Sequence, residues 1–195
     1  MHEAFFEYVK SKSSIPLTES DMALLESIFT PKKFKKRQYF LQEGEVCHYG
    51  GFVVKGAMRQ YSVDNKGAEH IVGLMLENWW IGDRESMAMG TPSEYFIDAW
   101  ENSDVLIISV KNLPLLRNIP AVAKVGDIIS DRHVAAIQKR IHDTISLSAE
   151  QRYDKIIQTH PEFMQRFPQH IIASYLGINK DTLSRIRRQK TSKNR

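Results

Sequence analysis

The stretch Asn179 to Arg188, NKDTLSRIRR, gathers side chains that can read a polyanion. Asn179 is a good N-cap, so a helix is expected to begin at Lys180. If Leu183 and Ile186 face a core, then Lys180, Asp181, Ser184, Arg185 and Arg188 face outward, with Asn179 and Thr182 in the first turn. An arginine fork matches a guanine edge, an aspartate can accept from a cytosine amino group, and hydroxyls and lysine suit phosphates. Residues 179–195 carry seven basic residues (Lys180, Arg185, Arg187, Arg188, Lys190, Lys193, Arg195) and one acid, Asp181. That is +6 for the segment and −2 for the rest of a chain whose net charge is +4. A basic end on a slightly acidic body suits a polyanion partner. The plainer alternatives are a solvated, frayed end and a helical corner with a charged face.

Such a face must be held by something. Gln169 to Leu176 fits a short helix with Ile172, Ala173 and Leu176 inward; Gly177 permits a sharp turn and Ile178 plugs the corner. Two short helices around a glycine make a helix-turn-helix pattern. Upstream, Val122, Val125, Ile129, Val134, Ile137, Ile141 and Ile145 recur at helical spacing. A helix this long outreaches a small barrel, so its apolar stripe is expected to meet the same helix of a second subunit. Ser148 caps a further helix, AEQRYDKIIQTH, stopped by Pro161.

Earlier segments have a different period. HEAFFEYVK and ESDMALLESIF read as helices, the second capped by Thr18 with Asp21 three residues on. From Phe34, the runs FKKRQYFL, YGGFVVKG, AMRQYSV, EHIVGLML, FIDAW and DVLIISV are short, β-branched and aromatic, and broken by turn residues. Strands this close, with no helices between them, predict an antiparallel barrel or roll over about residues 34–110. The fold class is therefore α+β: an N-terminal β-roll with flanking helices (1–117), a long dimerisation helix (118–147) and a C-terminal helix-turn-helix (148–195).

Other groups offer less. His133 and His142 lie nine positions apart, roughly 180° around a helix, so one metal within a subunit cannot take both. Trp79 and Trp80 read as core aromatics at the end of the roll, with one of them able to line a pocket. The single cysteine, Cys47, forbids an intrachain disulfide and reads as a plain buried or half-buried thiol. No phosphate loop, nucleophile motif or catalytic carboxylate pair is present, so the reading is of a protein without catalytic or metal residues. No apolar run reaches membrane length, and the N-terminus has no signal-peptide core; a soluble, cytoplasmic protein is expected.

Across the whole chain, this order of elements resembles the Crp/Fnr (cyclic-AMP receptor/fumarate-nitrate regulator) transcription factors. FVVKGAMRQYSVDNKGAEHIVGLML looks like the central hairpin of their roll, a cyclic-nucleotide-binding-like jelly roll, and IASYLGINKDTLSRIRR is close to their helix-turn-helix. The resemblance implies a homodimer that binds double-stranded DNA, with Lys180, Asp181 and Arg185 where the family contacts bases and phosphates, and with RNA polymerase as a further partner. In members that bind cyclic AMP, a Gly-Glu pair and a later Arg-Ser or Arg-Thr pair grip the ribose and cyclic phosphate. Here Gly82-Asp83 resembles the first pair, but the second falls at Ser93-Glu94, whose glutamate repels a phosphate. On the long helix Ile137 and Gln138 stand at the base-contacting positions, while Arg84 and Arg59 are the remaining anion contacts. The expected effector is thus a small molecule of unknown identity and not cyclic AMP, with no certain cofactor. The chain stops after the second helix of the motif, so the wing that often follows is not expected. Two rivals remain open: a constitutive DNA binder with an empty roll, and a signalling adaptor that binds a small ligand and no DNA.

Overall fold

The computed structural model describes residues 1–193. The chain forms two compact units: Met1–Ser62 with Gly73–Asp131, and Val63–Val72 with Arg132 onward.

The first unit starts with α1 (His2–Lys12) and α2 (Glu19–Ile28). Thr18 Oγ1 accepts from the Asp21 amide at 3.1 Å and Asp21 returns a bond to the Thr18 amide at 3.0 Å, the reciprocal cap expected from sequence. The helix ends one residue before the expected Phe29, because Thr30 precedes Pro31 and is pushed toward extended backbone. The strands are β1 (Phe29–Phe34), β2 (Tyr39–Leu41), β3 (Tyr49–Lys55), β4 (Met58–Val63), β5 (Glu69–Met75), β6 (Trp80–Ile81), β7 (Phe96–Ala99) and β8 (Ser103–Ser109). They form two four-stranded sheets, ordered β1-β8-β3-β6 and β2-β7-β4-β5. Several details differ from the sequence reading, the first being a strand that begins at Phe29 and not at Phe34. The run FKKRQYFL is not one strand: Lys35 to Gln38 make a turn, with Arg37 at φ 67°, which carries the chain from one sheet to the other. A short helix, α3 (Arg84–Met89), also interrupts the strands.

Side-chain alternation explains the near-continuous apolar runs in β3 and β8. Val53 and Val105 join Phe34, Leu41, Cys47, Met58, Ile97 and Ala99 in a core drawn from both sheets. Their neighbours Phe52, Leu106 and Ile108 pack with Phe5, Val9, Leu25 and Val122 from the helices. The first sheet is thus buried on both faces, and alternation no longer shows as polarity. Phe5 sits 5.0 Å from both Phe29 and Phe52 and 5.9 Å from Trp80, in edge-on and tilted contacts. Gly51 is required by close approach: a Cβ there would lie 2.8 Å from Ile81 and 2.9 Å from Val105. A 3₁₀ helix (Val110–Asn118) leads into α4 (Pro120–Ser146), 27 residues long.

The second unit holds the rest of α4 and then α5 (Ala149–Thr159), α6 (Phe163–Arg166), α7 (Gln169–Tyr175) and α8 (Lys180–Lys193). Ser148 caps α5, with Gln151 completing a capping box. Tyr153, Ile156, Phe163, Ile171, Ile172, Leu183 and Ile186 are buried there. Between α7 and α8, Gly177 takes φ 66°. Its amide bonds the Ser174 carbonyl and the Ile178 amide reaches back to that of Ala173, each at 3.0 Å. This is a Schellman stop, and only a residue at ease in the left-handed region fits it. No atom lies within 4 Å of a Cβ placed on Gly177, so substitution there is a backbone effect alone. Gly177→Ala is expected to destabilise the protein by about 1–2 kcal/mol without changing the buried core, as measured by denaturant titration; an unchanged midpoint would contradict the turn.

Candidate nucleic-acid interface and roll site

The residues expected to face outward on α8 form an exposed surface. Asn179 Oδ1 accepts from the Thr182 amide at 2.7 Å, which caps α8. Leu183 and Ile186 turn inward at 1% and 6% exposure, while Lys180, Asp181, Ser184, Arg185, Arg187 and Arg188 are exposed and Thr182 is half-buried. Asp181, Ser184, Arg185 and Arg188 share one face by helical spacing. Among the described residues no ion pair engages Arg185 or Arg188. Their guanidiniums remain free to bond an external acceptor.

One basic residue of the segment has another use. Lys190 Nζ lies 2.6 Å from Asp154 Oδ1 and 3.3 Å from Glu150 Oε1, both on α5. The hydrogen bond to Asp154, then that to Glu150, raises its pKa from the ordinary lysine value. Lys190 therefore fastens α8 to α5. Arg195 lies outside the described residues.

In the roll, Gly82, Asp83 and Ser93 come together around the start of α3. Asp83 Oδ1 caps that helix, accepting from the Glu85 and Ser86 amides at 3.1 and 3.3 Å. Its second oxygen accepts a 2.7 Å bond from the Ser93 hydroxyl. Asp83 is 6% exposed and Ser93 3%. The Cys47 sulfur accepts from the Asp83 amide at 3.4 Å, and the Cys47 amide bonds Ser86 Oγ at 2.9 Å. Burial pushes the Cys47 thiol above its usual range, and the side chain is buried, one of the two placements expected. Every oxygen of Asp83 is thus engaged by neighbours, and a carboxylate, not a guanidinium, stands at the heart of the site. Arg84 and Glu94 are exposed.

Arg59 is not available as an anion contact. Its guanidinium grips Asp98 through two bonds, Nε to Oδ1 at 2.8 Å and Nη2 to Oδ2 at 3.0 Å, and lies 4.2 Å over the Tyr61 ring. Both partners are buried, at 7% and 3% exposure, which makes the pair a committed structural one. Ile137 and Gln138 belong to the other compact unit and are exposed on α4. Trp80 joins the aromatic cluster around Phe5, whereas Trp79 is 37% exposed beside Tyr8 in a shallow cleft.

Two polar residues that the sequence did not single out also matter. Ser174 on α7 hydrogen-bonds the backbone of β5, and Arg140 on α4 bonds the same strand. A serine in a short helix and an arginine on an exposed one carry no pattern that would mark them.

Residues 31–116 match the family model described as the cyclic nucleotide-binding domain. No curated protein sequence matches the chain. Among solved structures, FixK2 from Bradyrhizobium japonicum is 18% identical with a TM-score of 0.69, covering 86% of each chain. A CooA mutant from Carboxydothermus hydrogenoformans is 16% identical with a TM-score of 0.71, over 90% of this chain and 81% of that one. A proposed regulator of the crp/fnr family from Eubacterium rectale is 16% identical with a TM-score of 0.66, over 91% and 85%. Among the described residues no helix is long and apolar enough to cross a membrane. Over residues 31–116 the chain is similar to a cyclic nucleotide-binding domain, and its fold is shared with solved structures that include FixK2, CooA and the crp/fnr-family protein from Eubacterium rectale.

Proposed function

We propose that this protein is a homodimeric, sequence-specific DNA-binding transcriptional regulator and not an enzyme. Residues 1–117 serve as the sensor, 118–147 as the dimer helix and 148–195 as the reader. The observation that carries this reading is the exposed set Lys180, Asp181, Ser184, Arg185 and Arg188 on a capped helix behind a glycine stop. A major groove admits such a helix, and two readers in a symmetric dimer reach half-sites about 34 Å apart. Dimerisation is supported by α4, where Val134, Ile137, Ile141 and Ile145 are 54%, 46%, 56% and 80% exposed along one stripe. Apolar residues repeated at that spacing need a partner surface, and the same helix of a second copy supplies it.

The roll is read as sensing something other than cyclic AMP. A cyclic phosphate brought to α3 would meet the Asp83 carboxylate and the exposed Glu94, with the exposed Arg84 as the one arginine left to offset two acids once Arg59 is committed to Asp98. The closed Asp83–Ser93 pair also favours a second reading, in which the roll holds no effector and DNA binding is constitutive.

Titration calorimetry with cyclic AMP is expected to give no binding at micromolar concentration; a micromolar or tighter isotherm would overturn the account of the roll. In sedimentation at micromolar concentration the protein is expected to be a dimer, and Ile137→Glu with Ile141→Glu to give monomer or unfolded chain, since buried carboxylates in the seam lack partners. A wild-type monomer would remove the dimer helix. After selection of bound sites from random duplex DNA, Arg185→Ala is expected to weaken the selected site by about 1–3 kcal/mol and relax one base pair per half-site. Arg188→Ala should weaken all duplexes alike and flatten the salt dependence. If Arg185→Ala lowered selected and scrambled DNA equally, α8 would be an anchor and not a reader.

A further inference from the structure

The tip of the β4–β5 hairpin, Val63–Val72, lies in one compact unit with the chain from Arg132 onward, which includes α7 and α8. In the order β2-β7-β4-β5, strand β5 is an edge, and an edge strand leaves backbone donors and acceptors without a neighbour. Here side chains take those groups. The Ser174 hydroxyl accepts from the Ile71 amide at 2.9 Å and donates to the Glu69 carbonyl at 3.1 Å. One hydroxyl thus does for residues 69 and 71 what a residue of an adjoining strand would do. Next along the strand, the Arg140 guanidinium donates to the Val72 carbonyl and, at 3.3 Å, to that of Ile71. It also donates to the Tyr175 carbonyl at 3.3 Å and lies 4.4 Å over the Tyr175 ring. Tyr175 is the last residue of α7, so this cation sits at the carbonyl end of that helix.

Ser174 and Tyr175 immediately precede the Gly177 turn that aims α8. The hairpin itself is stiffened at its tip. Asp64 accepts from the Lys66 and Ala68 amides, each at 2.9 Å, and pairs with His70 at 3.0 Å. Bonding to His70 first, then to those amides, lowers the Asp64 pKa to about 2.

We infer that Ser174 and Arg140 are positioning residues that clamp the reading motif to the edge of β5, so that the β4–β5 hairpin sets how firmly α7 and α8 are held. The clamp leaves the outward face of α8 exposed, which makes the clamped arrangement the one able to bind. Breaking it lets the motif move, and that freedom must be given up again on binding. In its effect on DNA the inference rests on the function proposed above; the clamp itself does not.

Hydrogen exchange of the DNA-free, full-length protein tests the clamp alone. Ser174→Ala is expected to speed exchange of the Ile71 amide roughly five- to tenfold, the worth of one hydrogen bond, and to speed the amides of residues 169–190 as well. Ser174→Thr, which keeps the hydroxyl, should restore wild-type exchange. Duplex binding on sites selected with the wild-type protein tests the consequence. Ser174→Ala and Arg140→Ala should each lower affinity roughly five- to tenfold. Asp64→Ala, which only loosens the hairpin tip, should lower affinity too. The sign is decisive, since removing an acid from a surface near DNA would by charge alone raise affinity. Unchanged exchange in Ser174→Ala, acceleration confined to Ile71, or an affinity that rises in Asp64→Ala would each overturn the clamp. If the wild-type protein selected no DNA, the proposed function would fail while hydrogen exchange still decided the clamp.

Discussion

The left-handed turn at Gly177 is the constraint on which the direction of α8 depends. A recognition helix discriminates bases only if its N-terminal turn is held at a fixed angle, because a bidentate contact tolerates little misplacement. Three interactions converge on that angle. The backward bonds of Gly177 and Ile178 close α7, the Asn179 side chain opens α8, and Lys190 pins the far end of α8 to Glu150 and Asp154. Each lies on a surface other than the one offered outward. The helix is therefore secured from behind, and its arginines need not share their hydrogen-bonding capacity with the protein.

The roll follows the opposite logic, since its polar groups are turned on one another. Asp83 spends one oxygen on a helix cap and the other on Ser93, and Arg59 is spent on Asp98. Two residues that could have faced a ligand instead fix the local backbone. A buried carboxylate is stable only when its lone pairs are filled, and here the α3 amides and a hydroxyl fill them. A ligand drawn to this place would have to displace Ser93 and offer donors, so the chemistry favours a hydrogen-bond-donating or neutral group over an anion.

Much of this was legible in the chain, because local signals and tertiary demands agree there. Thr18 with Asp21, Ser148 ahead of a helix, and Gly177 before Asn179 each name their own structure through a side chain that reaches a nearby amide. The exposed face of α8 followed from a helical count once Leu183 and Ile186 were turned inward. The errors have equally local causes. Lys35–Gln38 read as strand because Tyr39 and Phe40 continue an apolar run, whereas the turn depends on Arg37 accepting a left-handed φ, which composition does not announce. Lys190 counted as a free cation because its partners lie some 36–40 positions earlier. Ser174 and Arg140 were invisible for the same reason: their partners are backbone groups about 70–105 positions away, and a backbone group has no signature in sequence.

Those backbone partners bear on how such a fold could transmit a signal. The long helix α4 is one continuous element running from the compact unit that holds the roll core into the one that holds α7 and α8, but β4 and β5 make the same crossing. A helix transmits rotation and translation along its axis, while a hairpin edge held by hydrogen bonds transmits through register, since each bonded group has one partner position. Arg140 belongs to both routes, standing on α4 while bonding β5 and the end of α7. A displacement arriving by either path reaches a guanidinium whose donors have fixed directions, and a planar fork cannot follow two movements that disagree. Helix and hairpin are therefore constrained to move together, or the fork lets go of one of them.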